Sequence, residues 1–107
     1  MKYYNYKFSI GLFDKDQKKQ LISSLKAQKL VKELTINHFG FWSITAWEGL
    51  YTHEDWKQVS EPSLFINVNF EKEPDSESIL EYVNVLKFRL NQESIMLEKS
   101  VQDVDFL

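Results

Sequence analysis

With 107 residues and no cysteine, the chain has room for one domain, 1–107, held by apolar burial alone. Disulfide scaffolds and cysteine-ligated zinc or iron–sulfur sites are thereby excluded. The apolar share of 43%, with eight Phe, five Tyr and three Trp, excludes a disordered chain, and the net charge is only −3.

Residues Tyr4, Tyr6, Phe8, Ile10 and Leu12 alternate with Asn5, Lys7, Ser9 and Gly11, the period of a half-buried strand. The polar run Asp14–Lys19 ends it. Ser23 or Ser24 is placed to cap a helix whose apolar face runs Ala27, Leu30, Val31, Leu34 and His38, with Lys26, Lys29 and Lys32 on other faces. Gly40 suits its end.

Ser43–Thr52 and Glu61–Glu71 read as two antiparallel strands flanking the polar break His53-Glu54-Asp55, with Leu64, Ile66, Val68 and Phe70 on one face. Gly49 is a candidate bulge. Pro74-Asp75-Ser76 opens a second helix with Asp75 as its expected cap and Glu77 at the positive end of its dipole. Its stripe is Ile79, Val83, Leu86 and Leu90, and Ser94–Val101 forms a last strand through Ile95 and Leu97.

The order β-α-β-β-α-β predicts an α+β, ferredoxin-like split β-α-β fold: a four-stranded antiparallel sheet with both helices on one face.

Asn37-His38-Phe39-Gly40, Ile44-Thr45, Glu48-Gly49-Leu50-Tyr51-Thr52-His53-Glu54-Asp55, Glu61-Pro62-Ser63 and Asn91-Gln92-Glu93-Ser94 carry a resemblance. From Asn37 onward the chain resembles a group of small uncharacterised proteins from phages and mobile elements of low-GC Gram-positive bacteria. Trp56 stands where that group tends to have glycine. The resemblance implies a phage-like setting and a ferredoxin-like fold.

Catalytic signatures are sparse. His53, Glu54 and Asp55 are the residue types of acid–base or metal chemistry, but neighbours in a tight turn point apart, and a polar turn is the simpler reading. Glu48 and Glu61 are candidates for a carboxylate couple across the hairpin, or for two solvated side chains. The three glycines are too scattered for a phosphate loop, and no nucleophile elbow is present. The expectation is a protein that is not an enzyme, with no cofactor and no metal.

Charge is segregated. Residues 1–35 carry eight lysines against three acids, and the remainder five Lys/Arg against thirteen acids. Nucleic-acid binding is disfavoured: Ser63–Phe70 lacks the basic residue and glycine of the RNA-recognition signature and leads into an acidic run.

The open sheet face is expected to carry Tyr3, Phe65, Trp47 and Tyr51 with Asn67 and Asn69 between them, and such surplus aromatics mark interaction surfaces. Together with Glu71, Glu73, Asp75 and Glu77, which resemble the charge of nucleic acid, they form the expected partner-binding set.

The leading expectation is a protein-binding module: a phage-encoded, anti-CRISPR-like inhibitor of a host defence protein, with a homodimer through the open face. The alternative is a small-molecule or nucleotide binder using a cleft near the 43–63 hairpin, lined by Trp47, Tyr51, His53 and Glu61. No apolar run approaches the roughly 18 to 20 residues needed to span a bilayer, and the start Met1–Tyr6 has no signal-peptide pattern. A cytoplasmic location is expected.

Overall fold

The computed structural model describes the backbone of residues 1–39, 43–52 and 58–107, and side chains outside 40–61. The elements are β1 (Lys2–Gly11), α1 (Ser24–Phe39), β2 (Ser43–Thr52), β3 (Gln58–Phe70), α2 (Ser76–Leu90) and β4 (Met96–Asp103). The strands pair in the order β2-β3-β1-β4, and every pairing is antiparallel.

Alternation along β1 and β3 builds the core. Tyr6 faces Val68, Phe8 faces Ile66 and Ile10 faces Leu64, and all six are buried. Because β side chains alternate between faces, the register that buries these residues turns Tyr3, Asn5, Lys7 and Ser9 the other way. Over the buried side lie Ala27 and Val31 of α1 and Ile79, Tyr82, Leu86 and Leu90 of α2.

The α+β class stands, and the four strands form the expected single antiparallel sheet, with β3 and β1 central. The described core rests on a three-stranded antiparallel unit, β3-β1-β4, with β1 in the middle. Its strand side chains come from β1, β3 and, through half-buried Leu97, β4. The strand β2 joins outside that unit, by its ladder to the far edge of β3. Both β2 and β4 are edge strands, each paired on one side only.

The helices meet through a polar contact. Thr35 Oγ1 donates to the Val31 carbonyl at 2.6 Å, and the Tyr82 hydroxyl lies 2.7 Å from the same Oγ1, with Thr35 and Tyr82 fully buried. Phe8, His38 and Phe39 contact the Tyr82 ring edge-on. Burial of the Tyr82 phenol pushes its pKa up to about 12, and the Thr35 hydrogen bond partly offsets this.

The helix ends match the expected cap positions, with one difference in bonding. Ser23 Oγ accepts from Lys26 N at 3.2 Å, as its position suggests. Asp75 does occupy the N-cap of α2, yet its side chain makes no capping hydrogen bond. At the other end Asn91 takes the left-handed conformation, φ 48°, which asparagine tolerates at a helix C-terminus. Its side chain donates to Asp14 at 2.6 Å and Asp16 at 2.9 Å, tying the end of α2 to the loop after β1.

Candidate functional site

The side of the sheet away from the helices carries a row of polar and aromatic side chains. Asn5 Nδ2 donates to Asn69 Oδ1 at 2.8 Å across the β1–β3 ladder. Lys7 sits 3.4 Å from Glu98 and 5.3 Å from the centre of the Phe65 ring. Beside Phe65 and Met96 in register, the Ser9 hydroxyl is buried with no hydrogen-bond partner among the described residues.

The chain after β4 folds back over one end of this face. Val104 N donates to the Met1 carbonyl at 2.7 Å, which fixes the direction of the tail. Phe106 then meets the Tyr3 ring edge-on at 6.2 Å. Tyr3, Asn69, Glu71, Val104 and Phe106 enclose a cleft of about 310 Å³. That volume lies near the lower end for small-molecule sites, about 300 Å³. Its walls offer two aromatic rings, one carboxamide and one carboxylate. Aromatic rings stack on a planar heterocycle, an amide reads its edge, and a carboxylate accepts from hydroxyls or attracts a cation.

The structure sorts the expected partner-binding residues. Tyr3 and Phe65 share the open face, both half-buried, and Asn67 pairs with Lys7 of β1. Glu71, Glu73, Asp75 and Glu77 are exposed, but only Glu71 lines the cleft. Trp47 and Tyr51 occupy β2 positions opposite Ser63 and Val59; their side chains, and His53 altogether, lie outside the described residues. So do the walls of the expected hairpin cleft. Glu48 pairs with Pro62 and Glu61 with Gly49, so the two glutamates are not directly opposed, and of the two readings offered for them the cross-strand couple falls. Among the described residues no group of three or more His, Asp or Glu gathers as metal ligands do.

Sequence reasoning missed Phe106 and Val104. Their role depends on a return of the tail to Met1 across the whole length of the chain, and no local pattern encodes it. Asn69 was placed on the open face, and only the register shows that it joins Asn5.

No family model matches the chain, and no curated protein matches it. Solved structures do share its architecture. A phage SAM lyase in its apo state is 20% identical, with TM-score 0.65, over 95% of this chain and 86% of that one. A phage SAM lyase in complex with S-methyl-5'-thioadenosine is 23% identical, with TM-score 0.61, over 94% and 85%. CutA from Synechococcus elongatus, complexed with a Bis-Tris molecule, is 11% identical with TM-score 0.57 over 97% and 87%.

At these identities the likeness shows the fold. It also overturns the expectation that the chain is not an enzyme, because that expectation rested on missing catalytic motifs and this fold is one that an enzyme uses. No described helix is long and apolar enough to cross a membrane.

Proposed function

We propose that this protein is an enzyme that binds S-adenosylmethionine and breaks one of its carbon–sulfur bonds, holding the nucleoside end in the Tyr3–Phe106 cleft. The observation that carries the reading is the cleft itself: two rings, the Asn69 amide and the Glu71 carboxylate around one space on the open sheet face. These groups suit an adenine base and a ribose diol. The fold shared with phage SAM lyases, one of them holding S-methyl-5'-thioadenosine, supports the same reading.

The chemistry asks little of the protein. A sulfonium carries its own leaving group: when the bond from sulfur to the γ-carbon breaks, the electron pair stays on sulfur and its charge is discharged as a neutral thioether. The substrate's own carboxylate can attack that γ-carbon and close a five-membered lactone, so atoms and electrons balance without a protein nucleophile or co-reactant. The protein's part is to hold the reactive conformer and exclude water.

Incubating the purified chain with S-adenosylmethionine and separating the products by liquid chromatography–mass spectrometry tests the proposal. S-methyl-5'-thioadenosine is expected to accumulate, and Tyr3→Ala and Glu71→Gln are each expected to weaken its binding about tenfold, the loss of one stacking or charge-assisted contact. Intact substrate, with no binding of the thioadenosine, refutes it.

A second reading keeps the exposed acidic run Glu71, Glu73, Asp75 and Glu77 as a nucleic-acid mimic docking on a host defence protein in the host cytoplasm, with a second copy across the open face. Light scattering and capture of a nucleic-acid-binding protein through this run, lost when the four acids are neutralised, would favour it.

A further inference from the structure

A surface helix ordinarily turns charge to solvent and keeps its apolar stripe for the core. The outer face of the two-helix layer departs from that pattern. On α2, Phe88 is 84% and Leu80 60% exposed, and with Glu77, Glu81, Asn84 and Val85 they line an open groove of about 520 Å³ along the helix. On α1, Leu25 and Ile36 are 63% and 42% exposed. The spacing i, i+4, i+7, i+11 puts Lys29 and Lys32 between them on the same side. Single exposed leucines are ordinary, but four large apolar side chains on one two-helix face call for a cover.

The two rows complement each other in charge. The row on α1 carries Lys29 and Lys32 and no acid, while Lys26 and Glu33 on its flank offset one another. The row on α2 carries Glu77 and Glu81 and no base. Each row spans the same three turns of helix, so either is long enough to cover the other.

Within the chain the helices run antiparallel. Thr35, late in α1, meets Tyr82, early in α2, and Lys15 N ahead of α1 donates to the Asn91 carbonyl just past α2 at 3.1 Å. A two-fold axis parallel to the helices and lying on the outer face between them therefore sets α1 of each copy antiparallel on α2 of the other. Every contact is then made twice. The lysine row of one copy faces the glutamate row of its mate, and the exposed apolar side chains are covered together. A two-fold axis across the helices would instead set α1 on α1 and α2 on α2, opposing like charges, and is disfavoured.

We infer that the helix layer binds a second copy of this chain as a two-fold dimer, α1 of each copy lying on α2 of the other. This surface is on the opposite side of the sheet from the Tyr3–Phe106 cleft, so the inference does not depend on the proposed reaction.

Sedimentation velocity and light scattering of the full chain, from about 5 to 500 μM, test it. A dimer that dissociates at about 10–100 μM is expected, as suits a small and partly polar interface. Lys29→Glu with Lys32→Glu, and separately Glu77→Lys with Glu81→Lys, should each weaken it at least about tenfold by setting like charges against one another. All four substitutions in one chain should restore it, since the reversed rows attract again. Phe88→Ser should weaken the dimer about tenfold without changing its salt dependence. The substituted side chains are exposed, and circular dichroism checks that each variant folds. A monomer at every concentration, a mass that keeps growing with concentration, indifference to the paired reversals, or no recovery in the fourfold variant overturns the inference. So does a dimer lost with Phe65→Ser on the open sheet face and untouched by Phe88→Ser. Cleavage of S-adenosylmethionine, assayed on the same samples, bears on the cleft only.

Discussion

The buried hydroxyl pair between the helices allows a quantitative test of the packing. Thr35 donates to the Val31 carbonyl, so the Tyr82 hydroxyl is the donor to Thr35 Oγ1. The two hydroxyls therefore depend on each other unequally. In Tyr82→Phe, Thr35 keeps its bond to Val31 and loses only an accepted one, which costs about 1 kcal/mol. In Thr35→Val, the Tyr82 hydroxyl stays fully buried with no acceptor, which costs about 2–3 kcal/mol. The double variant leaves nothing stranded and should fall below the sum of the two.

Ionisation provides an independent readout of the same phenol. A folded-state pKa near 12 against 10.0 for the free side chain means that the native state holds its proton where the unfolded chain has lost it. Stability from this group is complete below pH 10 and declines as pH rises from 10 through 12. The two-unit shift corresponds to a loss on the order of 2–3 kcal/mol. Urea unfolding of wild type and Tyr82→Phe across pH 8 to 11 isolates the effect, because the other titrating groups are common to both. The wild type should lose stability relative to Tyr82→Phe as the pH climbs. A Tyr82→Phe penalty larger than that of Thr35→Val, or parallel pH profiles, would show that the hydroxyl is neither buried nor paired in this way.

Other perturbations follow from the same geometry. The Asn91 amide, together with the backbone N–H groups of Gln17 and Asp16, holds the Asp14 carboxyl below the usual carboxylate range. Its contribution is present above the unfolded-state pKa and lost as pH falls through the folded one, so Asp14→Asn should flatten the acid limb of a urea-midpoint profile; an unchanged limb removes the clamp from the account. Ser9→Ala removes a buried hydroxyl that has no partner and should raise the urea midpoint or leave it level, whereas a clear drop would mean that the hydroxyl is bonded.

The core was legible where periodicity and burial agree. Tyr6, Phe8, Ile10, Leu64, Ile66 and Val68 are strand positions two apart, and no competing period fits them. The helix interface was less so. The stripe expected for α2 included Val83, which is half-buried, and passed over Tyr82, the largest fully buried side chain among the described residues. A tyrosine in a helix reads as surface until its hydroxyl is given a partner, and Thr35 lies 47 residues away on α1. Its spacing was a usable signal, three residues after Ile79 and four before Leu86. His38 was expected on the apolar face; it is exposed, yet its ring rests against Tyr82 and its Nδ1 lies 2.9 Å from the Leu34 carbonyl. The Asp14–Asn91 clamp and the cleft under the tail join residues far apart in the chain, so local patterning contains neither.

The absence of catalytic motifs led toward a binding module because such motifs record reactions in which a side chain must become a nucleophile or move a metal-bound oxygen. A sulfonium substrate inverts that requirement. Its leaving group and its attacking carboxylate arrive together, so the selective demand falls on shape, stacking and the exclusion of water, which leave only scattered aromatics and amides in a sequence. Tyr3 and Asn69 were expected on the open face from their strand positions, and Phe106 joins them only when β1, β3 and the tail are laid side by side. For a fold of this size, the useful question is therefore which side chains the sheet register leaves facing an enclosed space, and what reaction needs nothing more than those.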